Sequence, residues 1–210
     1  MVVRKTKGNK KKQKVFIVIC IEGDADELMF KRLIDYYQNN GWVPHGDIKY
    51  HKTHGFPTES AIQSKLKQIQ QSYTNYEIIF NTVLCEYDTD VLVKDTFVAP
   101  AWGIVKKNLI RDFHVENFCR IEVKTSIEDW MLDDITGLLK SLRLPSNTKP
   151  KGKFGQDKVK DLFRRKNIVY DRNKGEKNIK PIIDKLDIGK IREARKKELR
   201  EFERLLGVNI

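Results

Sequence analysis

The longest uninterrupted apolar run in the chain is VFIVICI, Val15 to Ile21, and its β-branched residues show no polar alternation. Such a run predicts a strand covered on both faces, as inside a parallel sheet. A polar turn, Glu22-Gly23-Asp24, follows, and then Phe30, Leu33, Ile34 and Tyr37 recur at helical spacing. That stripe predicts a helix from Ala25 to Asn39, with Asp24 as its cap, Glu27 as the capping-box partner and Gly41 as its stop.

Residues 40–57 hold Gly41, Pro44, Gly46, Gly55 and Pro57 and read as an irregular connection with one short strand near Ile48 to His51. From Thr58 a second stripe, Ile62, Leu66, Ile69 and Tyr73, predicts a helix, and YEIIFNTVLCEYDTD supplies a second buried strand ending in acids. A helix over Pro100 to Phe113, a strand over Phe118 to Val123 and a helix from Ser126 or Ile127 to Leu142 continue the rhythm. Strands alternating with helices imply an α/β fold, a mainly parallel sheet flanked by helices.

Composition divides the chain into three parts. Residues 1–14 are rich in lysine and carry no large aliphatic residue after Val3, so they read as a flexible basic arm. Residues 15–145 form the α/β domain. From 146 the linker SNTKPKGKFGQ leads into short basic helical segments ending in DIGKIREARKKELREFERLLG, so residues 146–210 read as a basic helical C-terminal lobe. The apolar run at Val15 is far short of the roughly 20 residues that cross a bilayer, and no small-residue cleavage site follows it. A cytoplasmic protein without a membrane partner is expected. Cys20, Cys85 and Cys119 are far apart in strand-like runs and read as reduced packing residues.

The chemistry concentrates where strands end. In open parallel sheets the loops leaving the carboxyl ends of neighbouring strands converge on one crevice. Here the first strand ends at Glu22, the second in Glu86, Asp88 and Asp90, and the third leads into Glu128, Asp129, Asp133 and Asp134. Carboxylates gathered in one crevice repel each other unless a cation neutralises them. Mg²⁺ (or Mn²⁺) fits that role, leaving positions for water and phosphate oxygens. Glu22, Asp88 and Asp90 are the expected ligands. Asp24, Asp26 and Glu27 are explained by the helix dipole, and Glu128 and Asp129 also open a helix. His51 and His54 lack further ligands for zinc. No GxSxG, GxxxxGK[ST] or GxGxxG is present.

The segments VICIEGDADE and VLCEYDTD resemble the TOPRIM domains of topoisomerases, primases and OLD-type nucleases, in which an apolar strand ends in Glu-Gly and a later one in Asp-x-Asp. TSIEDWMLDD and the tail NIKPIIDKLDIGKIREARKKELREFERLL resemble the small RloB-like TOPRIM proteins linked to phage defence. The resemblance implies Mg²⁺-dependent cleavage of nucleic-acid phosphodiester bonds, with Glu22 as metal ligand or general acid-base, Asp88 and Asp90 as metal ligands, and Glu128 as an auxiliary acid. It leaves the catalytic lysine open between Lys124 and Lys180. Glu86-Tyr87 departs from the aliphatic strand end of many relatives, and no tyrosine stands as a topoisomerase nucleophile.

The formal charge of +12 adds a partner class. Lys151, Lys153, Lys158, Arg164 and Arg165, together with the arm, are expected to attract nucleic-acid phosphates, DNA or RNA. Acids interleaved along the last helix mark a solvated face there. The alternative to a nuclease is a non-catalytic nucleic-acid-binding or regulatory subunit of a defence complex, with an ATPase as partner.

Overall fold

Backbone pairing organises the apolar runs into one sheet. The computed structural model describes residues 11–43, 46–89, 100–171 and 175–208. Its strands are β1 (Lys11–Ile21), β2 (Asp47–Lys52), β3 (Tyr76–Asp88) and β4 (Val115–Val123), all parallel and ordered β2-β1-β3-β4. The α/β architecture expected from the alternation is therefore present. Helices α1 (Asp24–Asn39), α2 (Glu59–Ser72) and α3 (Trp102–Phe113) connect the strands. After β4 come α4 (Ile127–Asp133), α5 (Ile135–Ser141), α6 (Gly155–Arg164), α7 (Gly175–Asn178), α8 (Lys180–Ile183) and α9 (Ile188–Leu206). No helix among the described residues is long and apolar enough to cross a membrane.

Strand side chains alternate between faces, and the two faces bury separate sets. Phe16, Val18, Cys20, Phe80, Val83 and Cys85 pack with α2 and α3 through Ile62, Leu66, Val105 and Leu109. Ile19, Ile21, Leu84, Ile121 and Val123 pack with Phe30, Leu33 and Tyr37 of α1. Among the described residues, that second face has one connecting helix. The remainder of the layer comes from the C-terminal helices, whose Trp130, Leu162, Phe163, Ile183, Ile191, Leu199 and Phe202 belong to the same core. The expected lobe is helical, but its apolar residues complete the domain's own second layer instead of building a core of their own. The three cysteines are free and buried, as their strand positions suggested.

Several local expectations change. The basic arm does not reach residue 14, because Lys11 and Lys14 pair with Tyr76 and Ile78 of β3, and residues 1–10 lie outside the described ones. Backbone pairing needs no apolar side chain, and the Lys14 ammonium lies over the rings of Tyr73 and Tyr76 at 4.7 and 5.3 Å. Gly23, not Asp24, caps α1, and no side-chain cap bond forms there. Asp24 instead accepts from Lys52 Nζ at 2.7 Å. β4 starts at Val115, ahead of Phe118, because His114 closes α3 in the left-handed region with φ 56°. The helix expected to run to Leu142 breaks at Asp134, whose carboxylate accepts from the backbone of Gly137 and of Asp187, the latter at 2.8 Å.

Candidate metal centre

Because all four strands point the same way, Ile21, Lys52, Asp88 and Val123 mark one edge of the sheet. From β1 the chain passes through α1 to β2 on one flank, while β3 and β4 lie on the other. The crevice outside the ends of β1 and β3 is thus the switch point of the sheet, where ligands of open α/β folds bind.

Three carboxylates meet there. Asp26, Glu86 and Asp88 each place one oxygen within 4.8 Å of the other two, and all three residues are 0 % exposed. Glu86 and Asp88 stand two apart on β3, so they share the face that carries Leu84 toward α1. Asp26 comes from the first turn of α1 and occupies the inward stripe that continues as Phe30, Leu33 and Tyr37. The other acids of that turn face elsewhere: Asp24 and Glu27 both pair with Lys52, and Glu27 also with Lys31.

Glu86 is the most exposed to the physics of burial. Neither of its oxygens has a hydrogen-bond partner among the described residues. Burial pushes its carboxyl well above the usual range, the negative charges of Asp26, Asp88 and Glu22 push in the same direction, and the facing Glu22 backbone N–H, short of hydrogen-bond geometry, opposes only in part. A divalent cation would offset both the burial and the mutual repulsion. Mg²⁺ bound at about 2.1 Å separates two of its ligand oxygens by at most about 4.2 Å, so a small closure of the three side chains brings them onto one ion. An all-oxygen donor set suits hard divalent cations.

Glu22 lies beside this set without being one of the three. Its Oε1 accepts from the backbone N–H of Asp88 at 3.1 Å, which locks the ends of β1 and β3 together. Asp90 lies outside the described residues. Glu128 is buried at the start of α4 and accepts from the Tyr170 hydroxyl at 2.7 Å. Tyr87, between the two acids of β3, projects to the opposite face, where it stacks on Trp102 and donates to Glu122 at 2.7 Å. Asp133 and Glu198 both hold Arg195.

Lys124 is exposed just past the end of β4, whereas Lys180 pairs with Asp184 on the surface at 2.7 Å. Burial, followed by the charges of Lys65 and His54, lowers the pKa of His51, and no third ligand joins this pair among the described residues. Of the expected phosphate-binding cations, Lys151, Lys153 and Arg164 are exposed and Lys158 half-buried. Arg165 is held by Asp161 at 2.8 Å and by the carbonyl of Lys149.

Asp26, which the helix dipole accounts for, and Glu86, outside the expected ligand set, are the residues that join Asp88. Their sequence signal is phase: Asp26 is in phase with the apolar stripe of α1, and Glu86 with Asp88. Comparison with family models, curated proteins and solved structures yields no match, so the geometry of this centre carries the functional reading by itself.

Proposed function

We propose that the chain is a metal-dependent nuclease of TOPRIM type, binding Mg²⁺ or Mn²⁺ through Asp26, Glu86 and Asp88 and hydrolysing nucleic-acid phosphodiester bonds. The observation that carries this reading is the meeting of three buried carboxylates from two separate elements at the switch point of a parallel sheet. Isolated buried carboxylates are costly, and three together are more so. Such a set is retained where a cation is to be held.

When bound, the ion would offset charge on the scissile phosphate and activate a water for attack. The protein's own part is positional. Strand β3 holds Glu86 and Asp88 in rigid register, α1 supplies Asp26 from across the crevice, and Glu22 fixes the Asp88 backbone. The Glu22 carboxylate, held against the Asp88 backbone, would take a proton from that water.

A second reading has its own observation, the complete burial of Glu86 without a hydrogen bond among the described residues. Here the acids stay protonated and structural, and the basic chain binds nucleic acid as a regulatory subunit, with an ATPase partner in a defence complex. One experiment separates the two. Purified protein is incubated with labelled DNA and RNA, single- and double-stranded, with Mg²⁺, Mn²⁺ or EDTA. Cleavage that requires metal and disappears in Asp88→Asn supports the nuclease; binding by both proteins without cleavage of any substrate defeats it.

A further inference from the structure

We propose that the groove between the end of β4 and helix α9 is the track that carries a nucleic-acid backbone to the acidic centre, with Lys124 and Lys197 as its phosphate contacts. This rests on the nuclease reading above and names the surface its substrate uses.

The groove is lined by Thr89, Arg120, Glu122, Lys124, Lys197 and Glu198. It starts next to the centre in sequence. Thr89 follows Asp88 directly, and Lys124 follows Val123, the residue in register with Asp88 on the neighbouring strand. A hydrogen bond of 2.9 Å from the Thr125 backbone N–H to Thr89 Oγ1 ties the two strand exits together. Thr125 holds a left-handed φ of 65°, which turns the chain sharply after Lys124.

Charge in the groove is arranged so that its acids are already used. Glu122 accepts from Tyr87 at 2.7 Å and pairs with Arg120 at 3.4 Å. Glu198 accepts from the Trp130 indole at 3.2 Å and pairs with Arg195 at 3.1 Å. Lys124 and Lys197 are exposed, and neither ammonium has an ion-pair partner among the described residues. Elsewhere on α9 most cations are engaged: Lys190 with Asp134, Arg192 with Glu203, Lys196 with Glu193 and Arg204 with Glu201. Two free ammoniums flanking a concave path that begins one residue beyond Asp88 match a polyanion of regularly spaced phosphates.

The test is binding without catalysis. Fluorescence anisotropy with a short labelled single-stranded oligonucleotide in EDTA, over a series of salt concentrations, gives the slope of log K against log salt. Each phosphate contact on a single strand contributes about 0.7 to that slope, so Lys124→Gln/Lys197→Gln is expected to lower its magnitude by about 1.4. Lys67→Gln/Lys107→Gln removes the same charge from the exposed sides of α2 and α3 and is expected to lower it less. A groove variant with the wild-type slope, or a control pair with an equal loss, overturns the assignment. Because the measurement needs no cleavage, its failure is distinct from that of the nuclease reading, which is tested by metal-dependent hydrolysis. Wild-type protein that binds no nucleic acid overturns both.

Discussion

The carboxylate of Glu22 accepts a hydrogen bond from the backbone N–H of Asp88 at 3.1 Å, so the residue that leaves β1 holds the last residue of β3. This makes Glu22 a positioning residue for the centre as well as a neighbouring charge. Glu22→Gln keeps an acceptor, whereas Glu22→Ala removes it. The alanine variant is expected to lose about 1–3 kcal/mol of stability, the cost of leaving the Asp88 N–H unsatisfied, and to weaken Mn²⁺ binding severalfold more than the glutamine variant does. Titration calorimetry showing equal affinities for the two variants would remove the positional role.

Removal of a single ligand should abolish tight metal binding. Asp26→Asn, Glu86→Gln and Asp88→Asn are each expected to weaken Mn²⁺ by more than tenfold, about 1.4 kcal/mol. In wild-type protein, metal at a hundred times its Kd should add about 2.7 kcal/mol of stability. Denaturant melts with and without Mn²⁺ read both effects, and unchanged midpoints in the wild type would count against the site.

Glu86 also predicts a pH dependence. Its folded-state pKa is raised, first by burial, so the protonated form favours the metal-free fold below the unfolded value of about 4.3. That contribution is lost as pH rises through the folded value. Metal-free wild-type protein should therefore lose stability over that interval, while Glu86→Gln should show a flatter profile. Because the ion competes with the proton, metal affinity should rise with pH over the same interval.

Asp134 has the opposite sign. Burial pushes its carboxyl upward, yet the amides of Asp187 and Gly137 and the Lys190 ammonium outweigh this and hold it below the usual value. Its stabilising contribution is present above about pH 3.9 and is lost as pH falls through the lower folded value. Asp134→Ala uncaps α5 and frees the Asp187 N–H, with an expected cost of about 1–3 kcal/mol at neutral pH. Urea unfolding at neutral and strongly acidic pH should show this difference shrinking on acidification.

The junction of α1 and α9 contains a buried Glu203 that accepts from Tyr37 at 2.7 Å and pairs with Arg192 at 2.6 Å. Glu203→Ala leaves Arg192 and the Tyr37 hydroxyl without this partner and is expected to cost about 3–5 kcal/mol. Tyr37→Phe removes one hydrogen bond and should cost about 1–3 kcal/mol. Similar small losses in both variants would show that α9 docks through apolar contacts alone.

Residues close in sequence were legible because their structure depends on local periodicity. VFIVICI, the stripe from Phe30 to Tyr37 and the acidic strand end at Asp88 each follow from the spacing of side chains along one element, and they yielded the parallel α/β plan. The cap at Gly23, the break at Asp134 and the strand pairing of Lys11 depend on partners elsewhere in the chain. So does the centre. Only packing of α1 against β3 turns Asp26 from a helix-end acid into a neighbour of Glu86, because the phase of the helix against the sheet is set by contacts from the whole core. The same holds for the C-terminal helices. Their basic sequence suggested an appendage, but a four-stranded sheet with one connecting helix on one face leaves apolar surface exposed to water. Burying it drew those helices into the domain.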